Sequence, residues 1–225
     1  MDISVIVPTL DEAAQLATTL ASARGAGVRE VIVVDGGSRD ATECVARRHA
    51  DVVLTAARGR ATQMNAGAAA AHGEVLLFLH ADTRLPRGFD ASVRAALADP
   101  ATIGGRFDVR LVPSSPLLAL VAVLMNLRSR LSGIATGDQA IFVRRAAFEA
   151  VGGFEPIPLM EDVALTRTLK RRGRIACLRA HVETSSRRWV RNGPVRTIVL
   201  MWWLRFLYFR GVPPERLRRR YADTR

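Results

Sequence analysis

The sequence has 225 residues, of which 49% are hydrophobic, enough for one substantial folded core. The net charge of +12 lies in the second half: residues 1–112 carry 12 arginines against 13 acidic residues, and residues 113–225 carry 20 arginines and one lysine against 8 acidic residues. Every stretch of 18 residues contains a charge, so we expect no membrane-spanning helix, and the N-terminus lacks the basic segment of a secretion signal. The two isolated cysteines fit a cytoplasmic setting, and the basic half indicates an anionic surface or substrate.

The first hundred residues alternate between apolar runs and segments with helical spacing. The apolar runs predict strands at residues 3–7, 30–37, 51–56 and 74–80. Helices are predicted between and after these strands, at residues 11–24, 39–49, 62–71 and 88–98. Because parallel strands are joined by helices, this alternation predicts an α/β fold with a mostly parallel central sheet flanked by helices.

The pattern changes after residue 100. It predicts strands at 104–112 and 174–183, a strand with a short helix and a turn within 138–154, and helices at 115–131, 161–172 and 194–210. We expect one folded domain over residues 1–192, built from halves at 1–100 and 101–192. Basic amphipathic helices are expected over residues 193–225.

Polar residues follow three of the predicted strands, and the carboxyl ends of parallel strands are where such sheets bind ligands. They are Pro8, Thr9 and Glu12 after the first strand, Asp35, Gly37 and Ser38 after the second, and His80 and Asp82 after the fourth. Each group alone also fits a turn or a helix cap. The sequence has neither a P-loop nor a GxGxxG motif, so a bound diphosphate would need positive charge from another source, such as a metal ion.

His80 and Asp82 are a candidate metal site at the end of the fourth strand. Mg²⁺ prefers oxygen ligands, whereas imidazole suits later transition metals, so this pair fits Mn²⁺ at least as well as Mg²⁺. In the alternative, His80 packs against its neighbours and Asp82 alone contacts the ion. His181, on a later strand, is a remote candidate for an extra ligand.

Six segments follow one another along the chain: ISVIVPTLDEA, VIVVDGGSRDAT, LLFLHADT, GDQAIFVRRAAFEAVGGF, MEDVALTRTLKRRG and SSRRW. With these segments, over residues 3–215, the chain resembles the family 2 inverting glycosyltransferases, which have the GT-A fold. It is most similar to short bacterial members assigned to arsenosugar biosynthesis or to carotenoid (diaponeurosporenoate-type) glycosylation. The resemblance implies transfer of a sugar from a UDP-, GDP- or dTDP-linked donor with the help of Mn²⁺ or Mg²⁺.

The resemblance also implies roles for individual residues. The donor would be contacted by residues of the first half, namely Pro8, Thr9, Glu12, Asp35, Gly37, Ser38, Arg58, Asn65 and Ala81. Asp82 would bind the metal that bridges the diphosphate, and Asp162, beside Glu161, would be the general base. Arg188 and Trp189 stand where relatives have a Gln-x-x-Arg-Trp motif, but the glutamine is missing, which favours the addition of a single sugar.

The residue types support two of these roles independently. Glu161 and Asp162 begin the predicted helix 161–172, where a carboxylate can take the proton of an acceptor hydroxyl. Interaction with the helix dipole explains the same two residues without catalysis. Asp138 and Gln139 begin a predicted strand and are candidates for contacts with the acceptor or the donor sugar, with turn formation as the alternative.

The segment 195–210 mixes aromatic residues with arginines and is too short to span a bilayer. Such a helix suits a membrane surface, so we expect a small or lipidic acceptor and a peripheral position on the inner membrane surface. The alternatives are packing on the sheet or in a homodimer. Nucleic acid is not an expected partner, because no recognition motif accompanies the basic residues. Two other functions stay open: a nucleotidyltransferase of similar fold, and a non-catalytic nucleotide-sugar-binding subunit.

Overall fold

The computed structural model describes residues 1–222, whose strands form a single sheet. The strands are β1 Ile3–Thr9, β2 Val28–Asp35, β3 Val52–Thr55, β4 Val75–Phe78, β5 Thr83–Arg84, β6 Thr102–Val112, β7 Ile141–Arg144 and β8 Arg174–Ser185. The helices are α1 Ala13–Ser22, α2 Thr42–His49, α3 Arg60–Ala70, α4 Phe89–Ala96, α5 Pro116–Ser132, α6 Arg145–Ala150, α7 Glu161–Leu169, α8 Arg187–Asn192, α9 Pro194–Phe209 and α10 Pro214–Ala222. Residues 223–225, the end of the predicted segment 193–225, lie outside the described residues.

The first half of the chain builds the parallel part of the sheet. β1 lies between β2 and β4, β2 also pairs with β3, and all three pairings are parallel. These strands are mostly apolar because helices cover both faces of the sheet, which confirms the predicted α/β fold. The carboxyl ends of β1, β2 and β4 lie at the same end of the sheet, so the loops that follow them are neighbours.

The second half extends the sheet in the order β3-β2-β1-β4-β7-β6-β8-β5. β7 is antiparallel to both β4 and β6, and Ile141 pairs with Phe78. The residues before Ile141 therefore lie beside the residues after Phe78, at the end of the sheet where β1 and β2 also end. β6 and β8 are parallel, and the backbone N–H of Ser185 donates to Asp82 O at 3.2 Å, which brings α8 to the same end.

Buried polar contacts hold α5 against the sheet. Arg106 of β6 is fully buried and pairs with Asp108, which also binds Arg130 of α5. Asn126 of α5 accepts a hydrogen bond from Val109 N at 2.9 Å and donates one to Val109 O at 3.0 Å. Because buried charges and amides are unfavourable without partners, these contacts fix which face of α5 is buried.

Two details of the local structure differ from the sequence predictions. The strand predicted to begin at Asp138 begins at Ile141, because Gly137–Gln139 form a 3₁₀ helix capped by Thr136. β5 pairs only two residues with β8 and gives no periodic signal in the sequence. Among residues 1–222, no helix is long and apolar enough to cross a bilayer.

Candidate active site

Asp35 organises the loop that follows β2. Its Oδ2 atom accepts hydrogen bonds from the backbone N–H groups of Gly37 and Ser38, each at 2.9 Å. Its Oδ1 atom accepts from the hydroxyls of Ser38 and of Thr9, the latter at 3.4 Å. The carboxylate is buried and its lone pairs are used within the loop. In the structure Asp35 therefore shapes the pocket, and its direct contact with a nucleobase stays a prediction.

The loops after β1 and β2 interlock. Asp11 N donates to Ser38 Oγ at 2.9 Å, and Arg39 N donates to Asp11 Oδ1 at 2.8 Å. The buried amide of Gln63 on α3 donates to the carbonyls of Thr9 and Val34, both at 2.8 Å. Because each loop supplies partners to the other, the two loops form one preorganised unit. The predicted residues Pro8 and Thr9 end β1 and lead into it.

Arg187 connects two of the predicted site carboxylates. Its Nη2 atom lies 2.7 Å from Glu12 Oε2 and 3.6 Å from Asp82 Oδ2. Burial raises the pKa of Glu12 above its ordinary value, although the hydrogen bond from Arg187 acts in the opposite direction. The hydrogen bond to Glu12 raises the pKa of Arg187 despite partial burial. A permanently charged guanidinium therefore lies at the entrance of the candidate metal site.

His80 lies against the 3₁₀ helix. A Cβ atom at Gly137 would be 2.2 Å from His80 Nε2, so only glycine fits at position 137 while the imidazole is there. Burial, followed by the positive charge of Arg60, lowers the pKa of His80, and nearby carboxylates oppose this. A neutral imidazole has one nitrogen lone pair that can accept a hydrogen bond or bind a metal ion.

Glu161 and Asp162 begin α7, as predicted. Asp162 Oδ2 accepts a hydrogen bond from Gly137 N at 2.8 Å, and Oδ1 accepts one from Val163 N at 2.7 Å. Glu161 is buried, with Oε1 at 3.7 Å from Arg60 Nη1. Burial, and then the neighbouring charge of Asp162, raise the pKa of Glu161 to about 7. The pair thus provides one carboxylate fixed in position and one that titrates near neutral pH.

Within the described range 1–222, three residues other than glycine have positive φ angles: Asp11 at 53°, Ala140 at 46° and Met160 at 71°. Each adjoins a predicted site residue. Such conformations cost about 1–3 kcal/mol each and persist where the surrounding structure holds them, most often at functional sites. Backbone strain therefore coincides with the loops that carry the candidate residues.

A cavity of about 490 Å³ lies beside Glu161 and Asp162. Apart from Arg60, all its lining residues belong to the second half of the chain. Its polar lining includes Asp138 together with Arg60, Arg128, Arg188 and Arg205. Its apolar lining includes Val121, Leu124 and Met125 of α5 and Ile198, Met201 and Trp202 of α9. The predicted residue Trp189 also lines the cavity, and Arg188 stacks on the ring of Tyr221 at 4.2 Å.

Three predicted substrate-binding residues have contacts within the protein. Gln139 is fully buried and donates to Asn126 Oδ1 at 3.4 Å, which joins the 3₁₀ helix to α5. Asn65 donates to Phe154 O at 2.8 Å and accepts from Phe154 N at 2.9 Å. Ala81 is buried in the core. The structure thus gives the two amides partners within the protein and encloses Ala81, and the substrate contacts of all three residues stay predictions.

The structure adds residues that the sequence did not single out. Arg58 is exposed, and it is Arg60, two residues later, that reaches Glu161. Arg128 and Arg205 line the cavity but stand among 20 arginines in the second half of the sequence. The sequence carries no signal that separates these two from the others, because their position depends on how α5 and α9 pack.

The candidate metal site supplies few protein ligands. Among residues 1–222, no group of three or more His, Cys, Asp or Glu side chains could hold an ion. The Asp82 side chain is 27% exposed, so one carboxylate is accessible, and the neutral His80 lies two residues before it. His181 is exposed on β8. The residues therefore fit a divalent ion only where diphosphate oxygens and water complete its coordination.

Residues 4–148, more than half of the chain, match the family model for glycosyl transferase family 2. The chain belongs to this family. No curated protein sequence matches it significantly.

Solved structures of similar fold include Staphylococcus aureus TarS residues 1–349, with a TM-score of 0.66, 19% identity, and coverage of 84% of this chain and 61% of that chain. Another is Mycobacterium tuberculosis glucosyl-3-phosphoglycerate synthase, in complex with Mn²⁺, UDP and glucosyl-3-phosphoglycerate. Its TM-score is 0.61 and its identity 21%, with coverage of 80% of this chain and 70% of that chain. A third is the mannosyltransferase PcManGT from Pyrobaculum calidifontis, in complex with GDP-Man and Mn²⁺. Its TM-score is 0.64 and its identity 25%, with coverage of 80% of this chain and 56% of that chain. The chain thus spans about three fifths of the TarS fragment, and these matches confirm the predicted GT-A fold.

The substitution Glu161→Gln should make stability less dependent on pH. The pKa of Glu161 is about 7 in the folded protein against 4.5 for its ordinary value, so the folded state binds more protons between these values. The contribution of Glu161 to the free energy of unfolding is therefore most favourable below pH 4.5 and is lost as the pH rises through about 7. Glutamine removes this loss, so the variant should have a higher Tm than wild type at pH 8, and the difference should shrink at pH 5.

Thermal unfolding at both pH values, with Glu43→Gln on the exposed face of α2 as a control, measures this effect. A Glu161→Gln variant whose Tm follows the wild-type pH dependence would contradict a raised pKa at Glu161.

Proposed function

We propose that the protein is an inverting glycosyltransferase that moves one sugar from a nucleotide-diphosphate sugar to a small or lipidic acceptor. The observation that carries this proposal is the position of Asp162, fixed between the 3₁₀ helix and a cavity. Family membership supports it. Structures of similar fold contain UDP, UDP-GlcNAc or GDP-Man, which supports a UDP- or GDP-linked donor here, with dTDP as a third candidate base.

In this proposal, the half of the chain over residues 1–100 binds the donor and the half over 101–192 receives the acceptor. The nucleoside would lie against Thr9 at the end of β1 and on the interlocked loops after β1 and β2, which contain Glu12 and Gly37. The donor sugar would then point toward the cavity, where Asp138 and Asp162 lie. The absence of the Gln-x-x-Arg-Trp glutamine before Arg188 favours a single addition.

The proposed chemistry is a single displacement. An acceptor hydroxyl oxygen forms a bond to the anomeric carbon of the sugar while the bond from that carbon to the diphosphate oxygen breaks on the opposite face. The hydroxyl proton passes to the Asp162 carboxylate, and the electron pair of the broken bond leaves with the diphosphate. The hydrogen bonds from Gly137 N and Val163 N hold the carboxylate in place, and each oxygen keeps a further lone pair.

The leaving diphosphate needs positive charge. A bound Mn²⁺ or Mg²⁺ would stabilise the charge on its oxygens, and Asp82, with or without His80, would hold the ion. Arg187 is already 3.6 Å from Asp82 and can add to this charge. The Mn²⁺ in two of the similar structures supports this part of the proposal.

Two other functions fit the site less well. A nucleotidyltransferase needs positive charge on the loop after β1, where this chain has Asp11 and Glu12. A subunit that only binds nucleotide sugars has no use for a carboxylate such as Glu161, whose pKa of about 7 suits proton transfer. The protein's own site therefore favours the transferase.

The substitution Asp162→Asn should preserve donor binding and remove most of the activity. The amide oxygen can still accept the hydrogen bond from Gly137 N, but the amide cannot take a proton. We expect a loss of about 100-fold or more in the release of nucleoside diphosphate from the donor that the wild type binds, with calorimetric affinity unchanged. Should Asp162→Asn keep its rate while Glu161→Gln loses it, Glu161 would be the base.

Donor and Mn²⁺ binding should be coupled, each tightening the other by the same factor. Calorimetry of the wild type with and without Mn²⁺ measures this factor, and Asp82→Ala should reduce it to about one. If His80 binds the ion, His80→Ala should weaken coupling, and His80→Asp should restore it with a shift toward Mg²⁺. Normal coupling in His80→Ala would show that the histidine only packs, and donor binding that ignores Mn²⁺ in the wild type would refute the metal site.

We also propose that the protein rests on the inner membrane surface through one face of α5 and α9, which contact each other. This face is a set of exposed large apolar side chains: Leu117, Leu120, Val123, Leu124, Leu127 and Leu131 of α5, and Val195, Val199, Trp202, Trp203, Phe206 and Phe209 of α9. Contiguous exposed apolar patches of this kind mark interaction surfaces. The exposed arginines of α9 and α10 favour anionic lipid as the partner.

Sedimentation with vesicles tests this surface. The wild type should bind vesicles that contain phosphatidylserine, more weakly at high salt, and the double variant Leu120→Ser/Phe206→Ser should bind several-fold less. Val112→Ser, at an exposed apolar position on β6, is the control. A stable homodimer without vesicle binding would assign the same face to a second copy of the chain.

A further inference from the structure

The cavity beside Glu161 and Asp162 contains guanidinium groups that lack partners. The Nε and Nη2 atoms of Arg128 are buried and have no hydrogen-bond partner among residues 1–222. Arg205 of α9 lines the same cavity, and no described carboxylate lies within ion-pair distance of it. Buried donors without acceptors are unfavourable and rare in folded proteins. A bound anion would supply the hydrogen-bond acceptors that the described residues do not provide to Arg128.

The charges around Arg128 are consistent with this requirement. Burial, and then the positive charge of Arg205, lower the pKa of Arg128 to about 10, so it remains charged at neutral pH. Asp138 and Asp162 act in the opposite direction but form no hydrogen bond with it. Of the other arginines in the cavity lining, Arg60 is engaged by Glu161 at 3.7 Å and Arg188 stacks on the ring of Tyr221. Among the described residues that line the cavity, Arg128 and Arg205 are thus two arginines that no carboxylate engages.

Part of the cavity lining is apolar and exposed to solvent. Leu124, Trp202 and Phe209 line the cavity and are also 43%, 62% and 51% exposed. They belong both to the cavity and to the exposed apolar face of α5 and α9. A molecule can therefore lie partly inside the cavity and partly along that face, with its apolar part outermost.

We propose that this cavity takes the acceptor as an amphiphile with an anionic group, a phosphate or a carboxylate, which Arg128 and Arg205 bind while the hydrocarbon chain lies against α5 and α9. The inference rests on the proposed transferase function, since it names the class of acceptor for the same site. The anion completes the hydrogen bonding of Arg128, and the chain covers apolar surface that is otherwise exposed to water. Neutral acceptors satisfy only the second of these requirements.

The donor diphosphate is the rival occupant of the two arginines. The cavity lining, apart from Arg60, comes from the second half of the chain, whereas the interlocked loops after β1 and β2 come from the first. An apolar wall such as that of Leu124 and Trp202 also has no counterpart in a nucleotide diphosphate. These observations favour the amphiphile.

Binding of short amphiphiles below their micelle concentration tests the proposal. Decyl phosphate, decanoate and decanol are compared by calorimetry and by tryptophan fluorescence, because Trp189 and Trp202 line the cavity. We expect the wild type to bind one of the anions at least about tenfold more tightly than decanol, and the preferred anion identifies the group. Arg128→Gln and Arg205→Gln should each remove most of this preference. Arg196→Gln, exposed on the same helix α9, should retain it, and Arg128→Lys should keep part of it.

Equal affinities for decanol and both anions in the wild type would overturn the proposal, as would an unchanged preference in both arginine variants that fold with the wild-type Tm. It would also be overturned if the two substitutions weakened UDP-, GDP- or dTDP-sugar binding and left amphiphile binding intact, since the arginines would then serve the donor. The proposed function is tested separately, because donor binding is measured without amphiphile. A protein that binds no nucleotide sugar but prefers the anionic amphiphile would contradict the transferase and leave the anion site standing.

Discussion

The site depends on one hydrogen bond, from the backbone N–H of Gly137 to Asp162 Oδ2 at 2.8 Å. It joins the start of α7 to the 3₁₀ helix, and the antiparallel pairing of β7 with β4 places that helix beside His80. The same glycine has no side chain, and a Cβ there would lie 2.2 Å from His80 Nε2. The distance between Asp162 and His80 is thus set by the N–H group of Gly137 and by the absence of a side chain at that glycine. Both depend on the strand order, because only an antiparallel β7 brings its preceding residues to the end of β4.

Arginines neutralise the carboxylates of this site in two separate groups. Arg187 lies between Glu12 and Asp82, and Arg60 lies beside Glu161. In the first group, a diphosphate would compete with the carboxylates for Arg187, so in the proposed function a metal ion on Asp82 would favour binding of the diphosphate. In the second group, the pKa of Glu161 is raised to about 7 in spite of Arg60, because burial is the largest effect. In the first group, the negative charge is balanced by the ion pairs of Arg187, which a bound ligand could replace. In the second group, it is reduced by protonation of Glu161.

The sequence predicts the sheet and the position of Glu161 and Asp162, because apolar periodicity and helix-start signals are local properties. It does not separate ligand-binding polar residues from those that satisfy the backbone, since both need the same residue types. Gln139 ends the 3₁₀ helix and Asn65 lies within α3, and their side chains bond to Asn126 and Phe154 of the protein itself. The opposite error concerns Arg128 and Arg205, which are ordinary members of a basic half until α5 and α9 pack around a cavity. Burial of a charge is a tertiary property, and a single sequence does not encode it in any local pattern.

Helix α5 shows how one segment can serve both stability and recognition. One face is buried through Leu118 and Val121, and Asn126 ties it to β6, while Leu120 and Leu127 on the other face are exposed. A helix that is apolar on both faces keeps an unfavourable contact with water unless a partner covers the outer face. Arg128 is the first charged residue of the helix and lies one turn after Leu124, and both line the cavity. Because residues four apart share a helix face, a chain lying at Leu124 carries its polar group to Arg128. The spacing of two residues on α5 thus matches the spacing of the two parts of an amphiphile.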